Sequence, residues 1–170
     1  MTRSRKTTVA AAVLLAGSLV ACNDKNPTGP SLTPDQQRDL NTLYGVTNSY
    51  ADFSRAQAAG YTDKLTECMS DASGGMGIHY GKDAFIDGNA RVQEPEVLLY
   101  EPQRDGSLQL VAVEYIMPLS ASATAPSLFG LQFHRNEAFQ LWVLHVWLYR
   151  DNPSGMFTDW NPTVTCAAGR

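Results

Sequence analysis

The apolar run at residues 141–150 (LWVLHVWLYR) constrains the fold of this chain more than any other stretch. At the two-residue period of a β-strand both of its faces are apolar, which predicts a strand buried on both sides. One face of that strand would carry Leu141, Val143, His145, Trp147 and Tyr149. His145 is therefore expected in a low-dielectric interior, where an imidazole needs a polar partner.

The first 22 residues carry the successive features of an export signal. The positive charges come first, at Arg3, Arg5 and Lys6. Residues 9–19 are apolar but too short to span a membrane, and the segment ends in Leu-Val-Ala-Cys at residues 19–22. This ending resembles the lipobox of bacterial lipoproteins. The resemblance implies that residues 1–21 are a lipoprotein signal peptide, and the alternative is an ordinary secretory signal followed by an unrelated cysteine.

Lipidation of Cys22 would attach the mature protein to a lipid bilayer through acyl chains such as palmitate. Residues 22–32 contain Pro27, Gly29 and Pro30 and few apolar side chains, which is typical of a flexible tether. Asn23, rather than aspartate, follows the cysteine. The resemblance to Gram-negative lipoproteins then implies a place in the cell envelope, on the outer membrane and facing the periplasm.

Residues 33–170 suit a single domain with one sizeable core. The whole chain has a net charge of -4, and all 17 acidic residues but only ten of the 13 basic ones follow residue 21. The mature part is thus acidic and has no run of lysine or arginine. This excludes a typical nucleic-acid-binding surface, because phosphate groups require basic patches.

A helix is predicted to begin at Thr33-Pro34, with Gln36 at the position that completes a capping box. An apolar stripe continues along residues 40–58, which predicts a face packed on the core. Gly45 and Asn48 weaken the middle of this helix, and Gly60 is the expected terminator.

The sequence pattern of the remaining residues is typical of short β-strands. Strands are predicted at residues 95–101, 107–117 and 128–134, and Asp105-Gly106 predicts a hairpin between the first two. In the second strand the alternation would place Leu108, Leu110, Ala112, Glu114 and Ile116 on one face. We therefore expect an α+β protein, with an N-terminal helix on a mainly antiparallel sheet that is either open or closed into a barrel-like form.

Two cysteines remain after Cys22, namely Cys68 and Cys166. A pair of cysteines in an exported protein predicts a disulfide. The alternative is a metal-binding or catalytic pair of thiols, but these two lack the short spacing and neighbouring histidines that such sites show.

The candidate site residues are the three histidines of the chain, His79, His134 and His145, together with Glu114. Each lies in or beside an apolar segment, and a buried carboxylate is costly unless it is paired or bound to a cation. Three imidazoles and one carboxylate suit a divalent metal such as Zn, Fe, Mn or Cu. The alternatives are histidines bonded to backbone carbonyls, Glu114 paired with Arg135 or Arg150, and a metal-free acid–base pair of His145 and Glu114.

A second class of function stays open from the sequence: an envelope protein without enzymatic activity that binds a protein partner or a small apolar ligand. Several aromatic residues could line a pocket for such a ligand, or could belong to the core. They are Tyr80, Trp142, Trp147, Tyr149 and Trp160.

Six phrases of the sequence, GGMGIHY, PEVLLYEP, LVAVEY, LFGLQFH, LHVWLYRDNPSGMF and WNPTVTC, resemble a family of uncharacterised exported bacterial proteins. The resemblance covers residues 50–166 and implies no assigned activity. It does imply that six positions are fixed features of that family, namely His79, Glu114, His134, His145, Cys68 and Cys166.

Overall fold

The computed structural model describes residues 32–167. The predictions for the signal peptide at residues 1–21, for the lipidation of Cys22 and for nearly all of the tether lie outside the described residues. Within them, no helix is both long enough and apolar enough to cross a membrane.

The first helix, α1 (Pro34–Thr47), begins with the predicted capping box. The Thr33 hydroxyl oxygen accepts a hydrogen bond from the Gln36 backbone N–H at 3.2 Å, and the Thr33 N–H donates to the Gln36 side chain at 2.9 Å. These two bonds satisfy backbone donors that a helix start otherwise leaves without partners.

The helix breaks at Asn48, as the weak middle of the segment indicated. A 3-10 turn (Asn48–Ala51) follows, and a second helix, α2 (Phe53–Ala58), continues from it. The chain then turns at Gly60, whose φ of 100° is in the left-handed region that favours glycine.

The described residues then form nine strands: β1 (Asp63–Lys64), β2 (Met69–Asp71), β3 (Gly74–Gly81), β4 (Val97–Pro102), β5 (Leu108–Pro118), β6 (Ser127–Leu128), β7 (Leu131–Gln132), β8 (His134–Asn136) and β9 (Leu141–Val146). The main sheet has the order β1-β3-β4-β5-β9-β8, with β2 also paired to β3, and its pairs are antiparallel. It is an open sheet with β1 and β8 at the edges of the main path, so the predicted α+β class is confirmed without closure into a barrel.

The two helices cover the first face of the sheet. Leu40 and Leu43 of α1 pack there against residues of β4, β5 and β9. Two hydrogen bonds fix this layer: the Tyr100 hydroxyl donates to the Tyr50 carbonyl at 2.7 Å, and the Thr47 and Tyr149 hydroxyls are 2.6 Å apart. The first face therefore belongs to the core, as the apolar stripe of the helix indicated.

A bulge in β5 corrects the predicted alternation of that strand. Leu99 of β4 pairs with Ala112, but the next residue of β4, Tyr100, pairs with Leu110, so one extra residue, Val111, lies in β5. The bulge turns Leu110 toward the helices and Ala112 toward the opposite face. The prediction that Leu108 and Leu110 share a face with Glu114 is therefore wrong.

Strand β9 ends earlier than predicted. The ladder with β5 stops at Val146, and the Trp147 N–H instead donates to the Met156 carbonyl at 2.9 Å. Tyr149 thus packs on the helix face rather than beside His145. Because the residues after Val146 are no longer in the ladder, they do not follow the two-residue period on which the predicted face of Tyr149 depended.

The predicted strand at residues 128–134 is divided in the structure. Phe129 and Gly130 both have positive φ values, 54° and 69°, and they form the turn of the small hairpin β6–β7. His134 then begins β8, which pairs with β9. The turn is unusual because its first positive φ belongs to an aromatic residue, which a turn prediction does not expect.

The C-terminal segment folds back over the second face of the sheet. The Gly75 and Asn161 backbones exchange two hydrogen bonds, of 3.0 and 3.1 Å, and a Cβ on Gly74 would lie 2.3 Å from the Asn161 carbonyl oxygen. Only glycine permits this approach. The predicted disulfide is confirmed: Cys68 and Cys166 are bonded, with Cα atoms 5.6 Å apart.

Candidate metal site

Three strands bring His79, Glu114 and His145 together on the second face of the sheet. Glu114 of β5 is paired directly with His145 of β9, and on its other side with Val97 of β4. His79 of β3 is paired with Leu99 of β4. Because paired residues of a sheet share a face, the three side chains point to the same side of the sheet. His79 on β3 approaches Glu114 on β5 across the intervening strand β4.

The three side chains have the geometry of a ligand set. The His145 Nε2 atom lies 3.6 Å from one Glu114 oxygen, and the His79 Nε2 atom lies 3.7 Å from the other. One ligand atom from each residue lies within 4.8 Å of the other two. Ligand atoms about 2.1 Å from a tetrahedral metal ion are separated by about 3.4 Å. These three buried residues could therefore hold a metal ion.

The other ring nitrogen of each histidine is fixed by a hydrogen bond. Asp159 accepts from Nδ1 of His145 at 3.1 Å, and a hydrogen bond of 2.8 Å joins Nδ1 of His79 to the Thr66 hydroxyl. Metal-binding histidines nearly always have such a partner, which sets the tautomer and the ring orientation. Both Nε2 atoms are thereby turned toward Glu114.

The Nε2 atom of His145 is buried and has no hydrogen-bond partner among the described residues. Its distance of 3.6 Å to the Glu114 oxygen is too long for a hydrogen bond. Buried polar atoms without partners are rare because they lose their bonds to water without replacement. A cation between Nε2 and the carboxylate would satisfy both groups.

The electrostatics of the site follow from burial and from its own carboxylates. Burial lowers the pKa of His79 to about 3, with the neighbouring His145 acting in the same direction, so His79 is neutral and able to ligate. Burial also raises the pKa of Glu114. For His145 burial lowers the pKa, but Glu114 and Asp159 outweigh this effect and the pKa is raised overall.

The arginines that could have neutralised Glu114 are paired elsewhere. Arg150 forms an ion pair with Glu101, and Arg135 forms one with Glu137. Within residues 32–167, no lysine or arginine makes an ion pair with Glu114. The alternative of an arginine partner for Glu114 is therefore wrong.

His134, the fourth candidate ligand, is placed beside the site rather than in it. Its side chain is half exposed, and its Nε2 atom lies 3.0 Å from the second oxygen of Asp159. It is outside the group formed by His79, Glu114 and His145. Asp159 thus links the surface histidine to a buried one.

Asp159 is the residue that the sequence did not identify. His145 and His134 together lower its pKa against the opposing effect of burial, which keeps it charged. Asp159 is the only carboxylate in residues 156–166, but it lies in a loop, where the pattern of apolar strands gives no sign of it. The Thr158 carbonyl beside it accepts a hydrogen bond from the Trp147 indole at 2.6 Å, which holds the segment against β9.

A cavity of about 430 Å³ opens above the three residues. Its walls are mostly apolar and include Met69, Met76, Ile86, Ile116, Leu141 and Val143. Leu65 and Phe139, which are 45% and 53% exposed, lie at its rim. The candidate ligands are therefore reached through an apolar pocket of a size that suits a small molecule. Of the aromatic residues considered for a pocket, Trp160 lines this cavity.

Comparisons of the chain with protein-family models, with curated proteins and with solved structures gave no match. The resemblance to exported bacterial proteins and the assignment as a lipoprotein stay predictions.

Proposed function

We propose that this protein is a lipid-anchored protein of the bacterial cell envelope that binds one divalent metal ion through His79, Glu114 and His145. The observation that carries the proposal is the buried Nε2 atom of His145, which faces the Glu114 carboxylate without a hydrogen-bond partner. A cation supplies what both groups lack, whereas a purely structural histidine would have a partner at each ring nitrogen.

Two imidazoles and one carboxylate are the ligand set of catalytic zinc sites and of non-haem iron(II) sites. Both kinds of site keep at least one coordination position for water or substrate. Zn²⁺ or Fe²⁺ is thus the ion that this set suits best. Mn²⁺ would bind more weakly and Cu²⁺ more tightly by the general order of divalent affinities.

The test is metal analysis of protein purified without a histidine tag. We expect one equivalent of metal per chain by elemental mass spectrometry after dialysis against Zn²⁺ and removal of the unbound ion. His145→Ala and Glu114→Gln should lose it, because each removes one ligand of three. His134→Ala is the matched control, since it removes a histidine that lies outside the ligand group, and it should keep one equivalent.

A stoichiometry well below one in the unaltered protein would overturn the metal proposal. Equal loss in all three variants would do the same, because it would show nonspecific binding to imidazoles. The histidines would then be structural, and the protein would belong to the class of envelope proteins that bind partners or ligands without a metal.

The lipid anchor is supported by the amino-terminal pattern and by the compartment. The apolar segment and the Leu-Val-Ala-Cys ending form the cleavage pattern, and the Cys68–Cys166 disulfide fits an oxidising compartment. We expect the protein to fractionate with membranes of a Gram-negative host and to incorporate radiolabelled palmitate. Cys22→Ser should abolish the labelling, and a labelled variant would contradict the anchor at Cys22.

A further inference from the structure

We infer that the cavity above the metal site binds a small monocarboxylate with an apolar tail, whose carboxylate completes the coordination of the metal. The inference rests on the proposed function, because the metal supplies the positive charge that holds the carboxylate. It names a ligand class that neither the metal-binding residues nor the anchor would by themselves imply.

The charge of the site selects a single negative group. Among the described residues that line the cavity, none is a lysine or an arginine. Within its ligand group, a divalent ion bound to Glu114 keeps one positive charge, which one carboxylate neutralises. Asp159 is also negative, but it lies outside the ligand group, is partly exposed, and shares its charge with His145 and His134 through contacts of 3.1 and 3.0 Å. A dianion such as phosphate would leave a buried negative charge without a partner, which is costly.

The walls select an apolar body for that ligand. Most of the side chains that line the cavity outside the ligand group are apolar, among them Met76, Ile86 and Ile116, and the polar ones are Thr66, Asn136 and Asp159. The rim is apolar as well, since Leu65 and Phe139 are about half exposed there. Exposed apolar side chains around a concave site are typical of ligand binding, because the ligand removes them from water.

The experiment uses the full chain loaded with Co²⁺, which replaces Zn²⁺ and gives visible absorption that responds to its ligands. Acetate, butanoate, hexanoate and octanoate are titrated in turn, and 1-octanol serves as a control with the tail but without the carboxylate. Each methylene group that enters the cavity should tighten binding about fourfold. We expect octanoate to bind at least 100-fold more tightly than acetate and 1-octanol to leave the spectrum unchanged.

The outcomes separate this inference from the proposed function. If Co²⁺ gives no bound spectrum, both are overturned. If Co²⁺ binds but acetate and octanoate have dissociation constants within threefold of each other, the metal site stands and the apolar-tailed ligand is overturned. If octanol perturbs the spectrum as strongly as octanoate, the carboxylate is not the ligand, and the inference again fails.

Rim variants locate the tail. Leu65→Ala and Phe139→Ala are substitutions of half-exposed side chains, and each should weaken octanoate binding about fivefold while leaving acetate binding unchanged. Val46→Ala is the matched control, because Val46 is an exposed apolar residue of α1 that does not line the cavity. Unchanged octanoate binding in both rim variants would overturn the placement of the tail in this cavity.

Discussion

Asp159 holds the orientation of His145 through one oxygen and contacts His134 through the other. It is not a ligand in the proposed site, but it fixes which nitrogen of His145 carries the proton. Asp159→Asn should therefore weaken Zn²⁺ binding by about 10- to 100-fold without changing the stoichiometry. Competition with a chromophoric chelator measures the affinity.

The control for this prediction is Asp35→Asn, the same chemical change at an exposed position in the first turn of α1. It should leave the Zn²⁺ affinity unchanged. An affinity for Asp159→Asn within twofold of that of the unaltered protein would show that the contact with His145 does not tune the metal.

Glu96 is another buried carboxyl group, and it does not belong to the group of three candidate ligands. Its side chain accepts a hydrogen bond from the Ile116 backbone N–H at 3.2 Å, and burial raises its pKa from 4.5 to about 8. The folded protein therefore keeps a proton on Glu96 that the unfolded chain releases above about pH 4.5. Stability consequently falls as pH rises from about 4.5 through 8.

Glu96→Gln should remove this loss, because the amide is neutral at every pH and keeps an oxygen for the Ile116 N–H. The full shift corresponds to at most about 5 kcal/mol, and relaxation of the site should reduce it, so we expect the variant to gain about 2–3 kcal/mol relative to the unaltered protein between pH 5 and 8. Urea unfolding at both pH values, with a chelator present, measures the difference. Glu137→Gln, an exposed control, should show the same stability difference at pH 5 and pH 8; equal differences for Glu96→Gln would refute the argument.

The sequence correctly predicted those features of the helices and strands that depend on neighbouring residues. The capping box at Thr33, the break at Asn48 and the hairpin at Asp105-Gly106 depend on residues close in sequence, and the structure has all three. The bulge at Val111 has no such local cause. The residues immediately around it are all apolar, so either set of alternate residues could face the helices. The bulge is set by the pairing with β4, which only the folded sheet provides.

The candidate site shows the same difference between features that local sequence determines and features that only the folded chain determines. His79, Glu114 and His145 could be predicted because ionisable residues inside apolar strands are uncommon and must find partners. The structure brings these three together, although the prediction of their shared face with Leu110 was wrong. Asp159 could not be found in this way, because it lies in a loop whose path depends on Trp147 and Asn161.

The start of α1 gives a prediction about the helix layer. Thr33→Ala removes the hydroxyl that accepts from the Gln36 N–H and should cost about 1 kcal/mol of unfolding free energy. Thr42→Ala is a control of the same chemical kind in the same helix, where the exposed hydroxyl only bonds the Arg38 carbonyl. It should be neutral or slightly stabilising, because alanine is the better helix former. Chemical denaturation measures both, and equal effects of the two substitutions would contradict the capping argument.

The two faces of the sheet serve different purposes. The first is buried under α1 and α2 and forms the larger part of the core. The second carries the ligand group and is covered by the C-terminal segment, which also supplies Asp159 and Trp160 to the cavity. The site therefore depends on how firmly this segment is attached to β2 and β3.

The Cys68–Cys166 disulfide makes that attachment covalent, across a sequence separation of 98 residues. In the chain-entropy account a loop of this length gives almost 5 kcal/mol, and measured values are usually about 2–4 kcal/mol. Cys68→Ser combined with Cys166→Ser should lower the unfolding free energy by that smaller amount. It should also weaken Zn²⁺ binding, because the segment that holds Asp159 against His145 then loses its anchor at Cys68. Denaturation and chelator competition on the oxidised protein and the double variant measure both effects. A loss of stability with unchanged metal affinity would mean that the hydrogen bonds of Asn161 to Gly75 position Asp159 without help from the disulfide.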